Sequence, residues 1–498
     1  MNTLRYRIYC LLVLAFFILN SCEKPERLPN IILIMADDLG YSELGCYGQK
    51  IIRTPNIDRL AGEGMKFTQF YAGSPVCAPS RCVLLTGKHT GHAYLRDNYE
   101  MGGFRDEEEG GQLPLPAGTN TLGSMLREKG YKTAAIGKWG LGGPGSEGVP
   151  NKQGFDYFYG YLCQKQAHNY YPTHLWENDQ WDTLNNVFFM PHQRFEGDPS
   201  NPEDFEKYKG NDYSLDKMME KALSFIREQE ENPFFLYLPL TIPHLALQVP
   251  EESLRDYLGR FPDKAYLGGR SYLPHRHPRA AYAAMITRMD VEIGRLRLFL
   301  EKLELAENTI IIFTSDNGPT YGGIGGSDTE FFNSAGNLRG LKGSVYEGGI
   351  RVPVIVWWKG KVSPGDVTDH IAGFQDLMPT LAEITGVKHA PENDGISFLP
   401  LILGKEQEQH DYLYWEFPAY GGQQALRKEN WKAVRQGLVK NPSAPVELYD
   451  LEKDPGEVND ISGRNTEIVK ELQQLMQEAR IPSDHFPFPA LDADTSNN

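Results

Sequence analysis

The chain has 498 residues, 40% of them hydrophobic and 23% charged, proportions that fit a soluble globular protein with one large domain and a smaller partner. Its formal net charge of −16 argues against a nucleic-acid footprint and against a basic membrane-surface patch. An anionic substrate would therefore have to be met by a local concentration of Arg, Lys or metal.

The chain opens on Arg5 and Arg7, followed by an apolar run over residues 10–19 that is too short to span a bilayer comfortably. That run ends in Leu19-Asn20-Ser21-Cys22, which resembles a bacterial lipobox. Cys22 would be lipidated and become the mature N-terminus, with residues 23–27 as a polar tether; the alternative is a plain signal peptide or a short anchor helix. Residues 1–27 are thus expected to be leader and tether. The protein is expected to be an exported bacterial lipoprotein, periplasmic or on the outer membrane, that meets the membrane through its lipid alone. Cys46, Cys77, Cys82 and Cys163 remain, without the spacing of a disulfide framework. Apart from Cys77, they read as small buried hydrophobes.

Beyond the leader, apolar runs alternate with helical patterns, which points to an α/β fold with a largely parallel sheet. Residues 31–35 read as a buried strand and 56–63 as a helix bounded by Pro55 and Gly64. A helix over 121–129 stops at Gly130, and a strand follows over 131–136. A serine-capped helix over 214–229 leads into a strand over 234–238, and a long amphipathic helix over 280–303 leads into a strand over 309–314. Residues 352–358 form another strand, and 376–384 a helix broken or started at Pro379. Past residue 400 the pattern changes to short aromatic strands over 412–417, 431–435 and 447–449, with a final helix over 466–480. The expected division is a main domain over 28–399 and a small antiparallel sheet with one covering helix over 400–498. The 50 glycines and 33 prolines read as long loops rather than disorder.

The most informative polar groups follow the strands. Asp37-Asp38, Lys138, His244 and Asp316-Asn317 each lie just past a strand, and ligands of open α/β sheets bind beyond those carboxyl ends. An Asp-Asp pair usually caps a turn, and a lone His is usually a surface or core residue. Several strand ends delivering such groups to one edge outweigh those readings. Asp37, Asp38, Asp316 and Asn317 offer hard oxygen ligands that suit calcium or magnesium rather than zinc. A divalent cation with Arg81, Lys138 and Lys342 would make an anion-attracting pocket on an acidic protein. Cys77 stands at a helix start, with Pro79 in the first turn and Arg81 one turn on.

The run Pro75-Val76-Cys77-Ala78-Pro79-Ser80-Arg81-Cys82-Val83-Leu84-Leu85-Thr86-Gly87 is similar to the sulfatase signature in which a cysteine is oxidised to formylglycine. Asp37-Asp38-Leu39-Gly40, Ser315-Asp316-Asn317-Gly318 and Gly340-Leu341-Lys342-Gly343 support the same resemblance. The family implies an alkaline-phosphatase-like α/β domain, a small C-terminal domain, a bound Ca2+, formylglycine made from Cys77 by a maturation enzyme, and sulfate-ester hydrolysis. By position, Asp37, Asp38, Asp316 and Asn317 would hold the calcium together with residue 77, and Arg81 would stabilise the formylglycine hydrate. Lys138 and Lys342 would bind sulfate oxygens, and His244 would protonate the leaving alcohol. One hydroxyl of the hydrate would attack sulfur and the second would expel sulfate, a step a serine has no means to perform.

One block departs from the family. Gly137-Lys138-Trp139-Gly140 stands where the family has Gly-Lys-Trp-His, so another group would have to replace that imidazole; His168 and His174 are the candidates. The surrounding segment, residues 157–181, is rich in Tyr, Trp, His and Asn. It resembles segments of bacterial sulfatases that act on sulfated galactose or N-acetylgalactosamine. His168, Tyr171 and His174 are its candidate substrate contacts, for exo-acting removal of sulfate from glycans. A formylglycine-dependent phosphonate or phosphodiester hydrolase and an inactive glycan-binding lipoprotein are the rival readings.

Overall fold

The computed structural model describes residues 27–492, so the leader and the lipidation of Cys22 lie outside the described residues. An 11-stranded mixed sheet organises the main part of the chain. Its centre is Asn30–Asp37, paired in parallel with Thr309–Ser315 on one side and Phe234–Pro243 on the other. Lys132–Lys138 and then Tyr157–Tyr161 continue the parallel run. Arg351–Trp358 joins antiparallel beside Thr309–Ser315, and Met65–Tyr71 pairs with it in turn.

The central strand is apolar from Ile31 to Ala36 because both of its faces are covered, as parallel strands require. Side chains alternate between those faces. Ile31, Leu33 and Met35 enter a core roofed by Cys77–Thr86, Leu122–Glu128 and Leu377–Thr385. Ile32, Ile34 and Ala36 enter a second core roofed by Pro55–Glu63, Ser214–Glu228 and Pro278–Lys302. Each fully buried aliphatic side chain contributes about 1.5–3 kcal/mol to folding. The strands therefore have no freedom to slip, and their ends are held in fixed register.

The expected α/β fold with a small C-terminal sheet is the observed one, with several elements that the apolar pattern concealed. Met65–Tyr71 is a full strand of the main sheet. The aromatic segment after residue 156 supplies Tyr157–Tyr161, His174–Glu177 and Gln180–Thr183, which extend one sheet edge. Ser214 does not cap its helix. Tyr213 holds the cap position without a side-chain hydrogen bond, and its ring stacks on Tyr170 at 5.7 Å, so burial sets this helix start. Pro379 lies within the first turn of Leu377–Thr385 rather than breaking it. By contrast, Thr121 does cap Leu122–Glu128, in a reciprocal pairing with Ser124. Cys46 is half-buried, while Cys82 and Cys163 are fully buried. No helix among the described residues is long and apolar enough to cross a membrane.

The C-terminal sheet is antiparallel, in the order Leu413–Phe417, Gln423–Lys428, Trp431–Gln436, Glu447–Asp450. One face packs on the helix Thr466–Glu478 through Tyr414, Leu426, Leu448, Leu472 and Met476. The other packs on Tyr71, Val76 and Ile350 of the main part through Trp415, Ala425 and Val434. A buried ionic group crosses this seam. Lys432 Nζ lies 2.9 Å from both Glu347 Oε1 and Glu457 Oε1. Burial alone would raise the Glu347 carboxyl, but Lys432, Arg351 and Arg427 outweigh it and hold it down at about 2. Burial pushes Glu457 up to about 7, only partly opposed by Lys432. Lys432 thus compensates the Glu347 carboxylate inside the protein. Its replacement by Met is expected to lower the unfolding free energy by about 3–5 kcal/mol, because a buried charge loses its partner. Chemical denaturation of Lys432→Met measures this, and an unchanged midpoint would show that the pair does not hold the seam.

Candidate active site

Strand ends deliver the site. Asp37 is the last residue of Asn30–Asp37, Lys138 the last of Lys132–Lys138, His244 follows Phe234–Pro243, and Asp316 follows Thr309–Ser315. Those four strands lie side by side and parallel, so the four groups emerge on one edge. Lysine 138 reaches that edge because Gly137 lets its strand close up. A Cβ at Gly137, where φ is +141°, would stand 1.9 Å from the Pro239 carbonyl oxygen. Asp38 makes the first turn with φ of 63°, a left-handed conformation that Asp tolerates better than most residues. Its amide donates to Asp316 Oδ1 at 3.1 Å, which ties the two acidic loops together. Cys77 is the first residue of the helix Cys77–Thr86, which points its N-terminus into the same space.

The charges are buried and interleaved. Arg81 Nη2 lies 2.7 Å from Asp316 Oδ2 and 3.6 Å from Asp37 Oδ2, and its Nη1 donates to the Lys138 carbonyl at 2.5 Å. Lys138 Nζ is 2.7 Å from Asp37 Oδ2, and Lys342 Nζ is 2.9 Å from Asp38 Oδ2. The Cys77 sulfur is 3.6 Å from Lys138 Nζ, 3.3 Å from Lys342 Nζ and 3.6 Å from Asp37 Oδ1. His244 Nε2 lies 3.7 Å from Asp38 Oδ2, and its Nδ1 is 2.6 Å from the Leu245 carbonyl oxygen, to which it donates. That contact leaves Nε2 as the atom facing the cluster.

Electrostatics follow from burial and from these neighbours. Burial would lower both lysines, but Asp37 outweighs it at Lys138, which lies above its usual range, and Asp38 at Lys342, which lies well above it, so both ammonium groups stay charged. Burial, then Lys342 and Lys138, push the His244 imidazole well below its usual value, which keeps it neutral. The Cys77 thiol is pushed up to about 12 by burial, in spite of the two lysines.

The buried carboxylates and an orphaned amide oxygen suit a hard divalent cation. Ligand atoms of Asp37, Asp38, Cys77 and His244 lie within 4.8 Å of one another. Asn317 donates its amide N–H to Asp38 Oδ1 at 2.8 Å, while its own Oδ1 is buried without a hydrogen-bond partner. A buried oxygen with no proton to accept, beside carboxylates, is what a cation would satisfy.

The structure brings Asp37, Asp38, Cys77, Arg81, Lys138, His244, Asp316, Asn317 and Lys342 together. His168 adjoins them, stacked on His244 with ring centroids 5.0 Å apart. It does not bring in the other two candidates. His174 is held in its strand, stacked on Trp181 at 3.8 Å and 3.3 Å from Glu109 Oε2. Tyr171 lines a separate cavity with Tyr208, Leu247 and His275, and its ring packs on Tyr213. The place of the missing histidine is filled. Gly140 has φ of +79°, and a Cβ there would stand 2.4 Å from Gln164 Nε2, itself buried and unpartnered. Tyr272 and His192 also reach this region, as do Tyr321 and Tyr420, whose hydroxyls meet at 2.7 Å. No motif marks those four residues in the sequence; long loops carry them in.

Comparison with known proteins agrees with this geometry. The Sulfatase family model matches residues 29–387, and the model for the C-terminal region of N-sulphoglucosamine sulphohydrolase matches residues 341–481. Human arylsulfatase A is 31% identical over 488 residues, covering 90% of this chain and 87% of the relative. The N-acetylgalactosamine-6-O-sulfatase of Bacteroides thetaiotaomicron is 30% identical over 513 residues, covering 91% and 93%. Among solved structures, Ps i-CgsB in complex with k-i-k-neocarrahexaose superposes with a TM-score of 0.72 at 28% identity, covering 91% of this chain and 92% of that one. Strand-end acids and cations around a helix-start cysteine, carried on a chain matched nearly end to end, place this protein in the sulfatase family, as a hydrolase of sulfuric esters.

Proposed function

We propose that this sulfatase works with formylglycine at position 77 and a calcium ion, and that it removes sulfate from the ends of galactose- or N-acetylgalactosamine-containing glycans. The observation that carries the reading is the state of Cys77. A buried thiol pushed up to about 12 is a poor nucleophile, yet it stands at the focus of Lys138, Lys342 and Asp37. Its sulfur atom occupies the place of a hydrate oxygen. Formylglycine at 77 would supply paired hydroxyls as its hydrate, and a calcium ion held by Asp37, Asp38, Asp316 and Asn317 would supply a Lewis acid.

The protein's own groups then divide the work. Asp37, Asp38 and Asp316 face Arg81, Lys138 and Lys342, so three negative charges meet three positive ones. A divalent cation tips that balance to +2, which attracts an anionic ester into a site on an acidic protein. Lys138 and Lys342 reach the sulfate oxygens, and Arg81, held by Asp316, keeps the helix start oriented. His244 presents Nε2 to the leaving oxygen. A bound anion offsets the two lysines that suppress its protonation, so substrate raises the proton affinity of the group that must donate.

The sugar assignment is supported by a relative named for N-acetylgalactosamine 6-O-sulfate and a structural neighbour holding an oligosaccharide. We further propose export through the N-terminal leader and anchoring through lipidated Cys22, which fits foraging on external glycans.

Peptide mass spectrometry across residue 77, on protein from a maturation-competent host, is expected to find formylglycine. Cys77→Ser should lose at least about 10³-fold in aryl sulfate turnover. An unmodified thiol in all of the material would sink the mechanism, and faster turnover of phosphonate diesters than of sulfates would favour the rival hydrolase. Chelation should abolish turnover, with calcium restoring it better than magnesium; indifference to chelator excludes the metal. The wild-type enzyme should release sulfate from sulfated galactose or N-acetylgalactosamine oligosaccharides, and failure on all of them with residue 77 converted would refute the substrate. His244→Ala should slow these sugar sulfates by about 10²–10⁴-fold, and an activated aryl sulfate much less, because a good leaving group needs no proton. Equal losses on both would remove His244 from that role.

A further inference from the structure

Beyond His244 stand two imidazoles, His168 and His192, that the mechanism above does not use. His168 stacks on His244 with 19° between ring planes. Its Nδ1 lies 2.9 Å from His192 Nε2. His192 Nδ1 in turn lies 3.1 Å from the Tyr272 amide nitrogen and 2.6 Å from Ser271 Oγ.

The Tyr272 contact sets the direction of the whole row. A backbone N–H only donates, so His192 Nδ1 is an acceptor and the Ser271 hydroxyl donates to it as well. Burial pushes the His192 imidazole down to about 4, so at neutral pH its single proton sits on Nε2. That proton is donated to His168 Nδ1. A His168 Nδ1 that accepts this proton carries none of its own, so the ring is neutral. Its own proton must then lie on Nε2, an atom with no hydrogen-bond partner among the described residues. No carboxylate touches either ring among the described residues; such a contact would have favoured an imidazolium.

The backbone is built to make the deciding contact. Ser271 and Tyr272 have φ of 69° and 63°, two successive non-glycine residues in the left-handed region. Side chains of that kind rarely adopt this conformation, and where they do the surrounding structure holds them. Here the turn aims the Tyr272 N–H at His192 and lays the Tyr272 ring against both imidazoles, at 4.5 Å and 5.1 Å. Phe104 closes the other side, 4.5 Å from the His192 ring.

We propose that the Tyr272 amide and His192 are positioning residues that fix His168 as its neutral Nε2–H tautomer, giving the site a hydrogen-bond donor beside His244 for a hydroxyl or ether oxygen of the substrate. The identity of that oxygen, on the sugar that carries the sulfate, rests on the glycan sulfatase reading. The tautomer itself does not.

Ring ¹⁵N shifts of the full-length protein labelled in histidine, with His168 assigned by its loss in His168→Gln, test the tautomer directly. A protonated Nε2 and a bare Nδ1 at neutral pH are expected; the opposite tautomer or an imidazolium overturns the proposal whether or not the protein cleaves sulfates. Kinetics on a sulfated N-acetylgalactosamine oligosaccharide test the consequence. His192→Gln keeps a donor toward His168 and should hold KM within about threefold, while His192→Leu offers none, frees His168 Nδ1 to take the proton and should raise KM about tenfold with kcat little changed. Matching melting curves verify that both variants fold. Should Gln and Leu at 192 give the same KM, His192 does not set the donor and the proposal fails.

Discussion

The pairing of Arg81 with Asp316 is the contact on which the site depends. Both side chains are wholly buried, and the guanidinium joins three separate elements: its own helix, the end of Thr309–Ser315 through the carboxylate, and the end of Lys132–Lys138 through the Lys138 carbonyl. A charge so deep is tolerable only when its partner and its remaining N–H groups are satisfied. That requirement fixes the helix start relative to two strand ends, and with it the position of residue 77. Asp37 and Lys138 then extend the array by one ion pair, and Asp38 and Lys342 by another. Alternation of sign lets the array exist inside a low-dielectric core.

The C-terminal sheet has a catalytic consequence beyond its own stability. Trp415 Nε1 donates to the Ala72 carbonyl at 2.9 Å, and the Gln423 side chain donates to the Gly343 carbonyl while accepting from the Val345 amide. Gly343 itself donates to the Pro75 carbonyl at 2.8 Å. The loop before Cys77 and the loop carrying Lys342 are thus stapled to each other and to the same small sheet. The Lys432 group with Glu347 and Glu457 holds the sheet in place from below. Cys77 and Lys342, 265 positions apart in the chain, are thus kept at 3.3 Å with the help of a sheet to which neither belongs.

Much of this was legible in the chain because parallel α/β folds couple local pattern to site location. A strand pattern followed by Asp-Asp, Gly-Lys or Ser-Asp-Asn already says that those polar groups sit past a strand end. The strands that escaped notice are those whose pattern is diluted. Gln423–Lys428 reads as polar, yet Gln424 and Arg427 are buried with their hydrogen bonds met by Tyr414 and the Glu429 carbonyl. Ser214 carries the right residue type for a cap, but the packing of Tyr213 moved the helix start by one position.

By itself, then, the amino-acid order determined the fold class, the helix start at Cys77, and the placing of acidic groups and cations just past the strand ends, since each of these follows from residue type at short range. Tertiary structure alone decided which histidine stands at the site. His168 and His174 are six positions apart and equally plausible on paper, but one stacks on His244 and the other is held in a strand against Trp181 and Glu109. It decided as well that Gln164 occupies the space beside Gly140, and that a left-handed turn at Ser271 and Tyr272 reaches His192. Such contacts join loops separated by tens of residues, and no local periodicity encodes them.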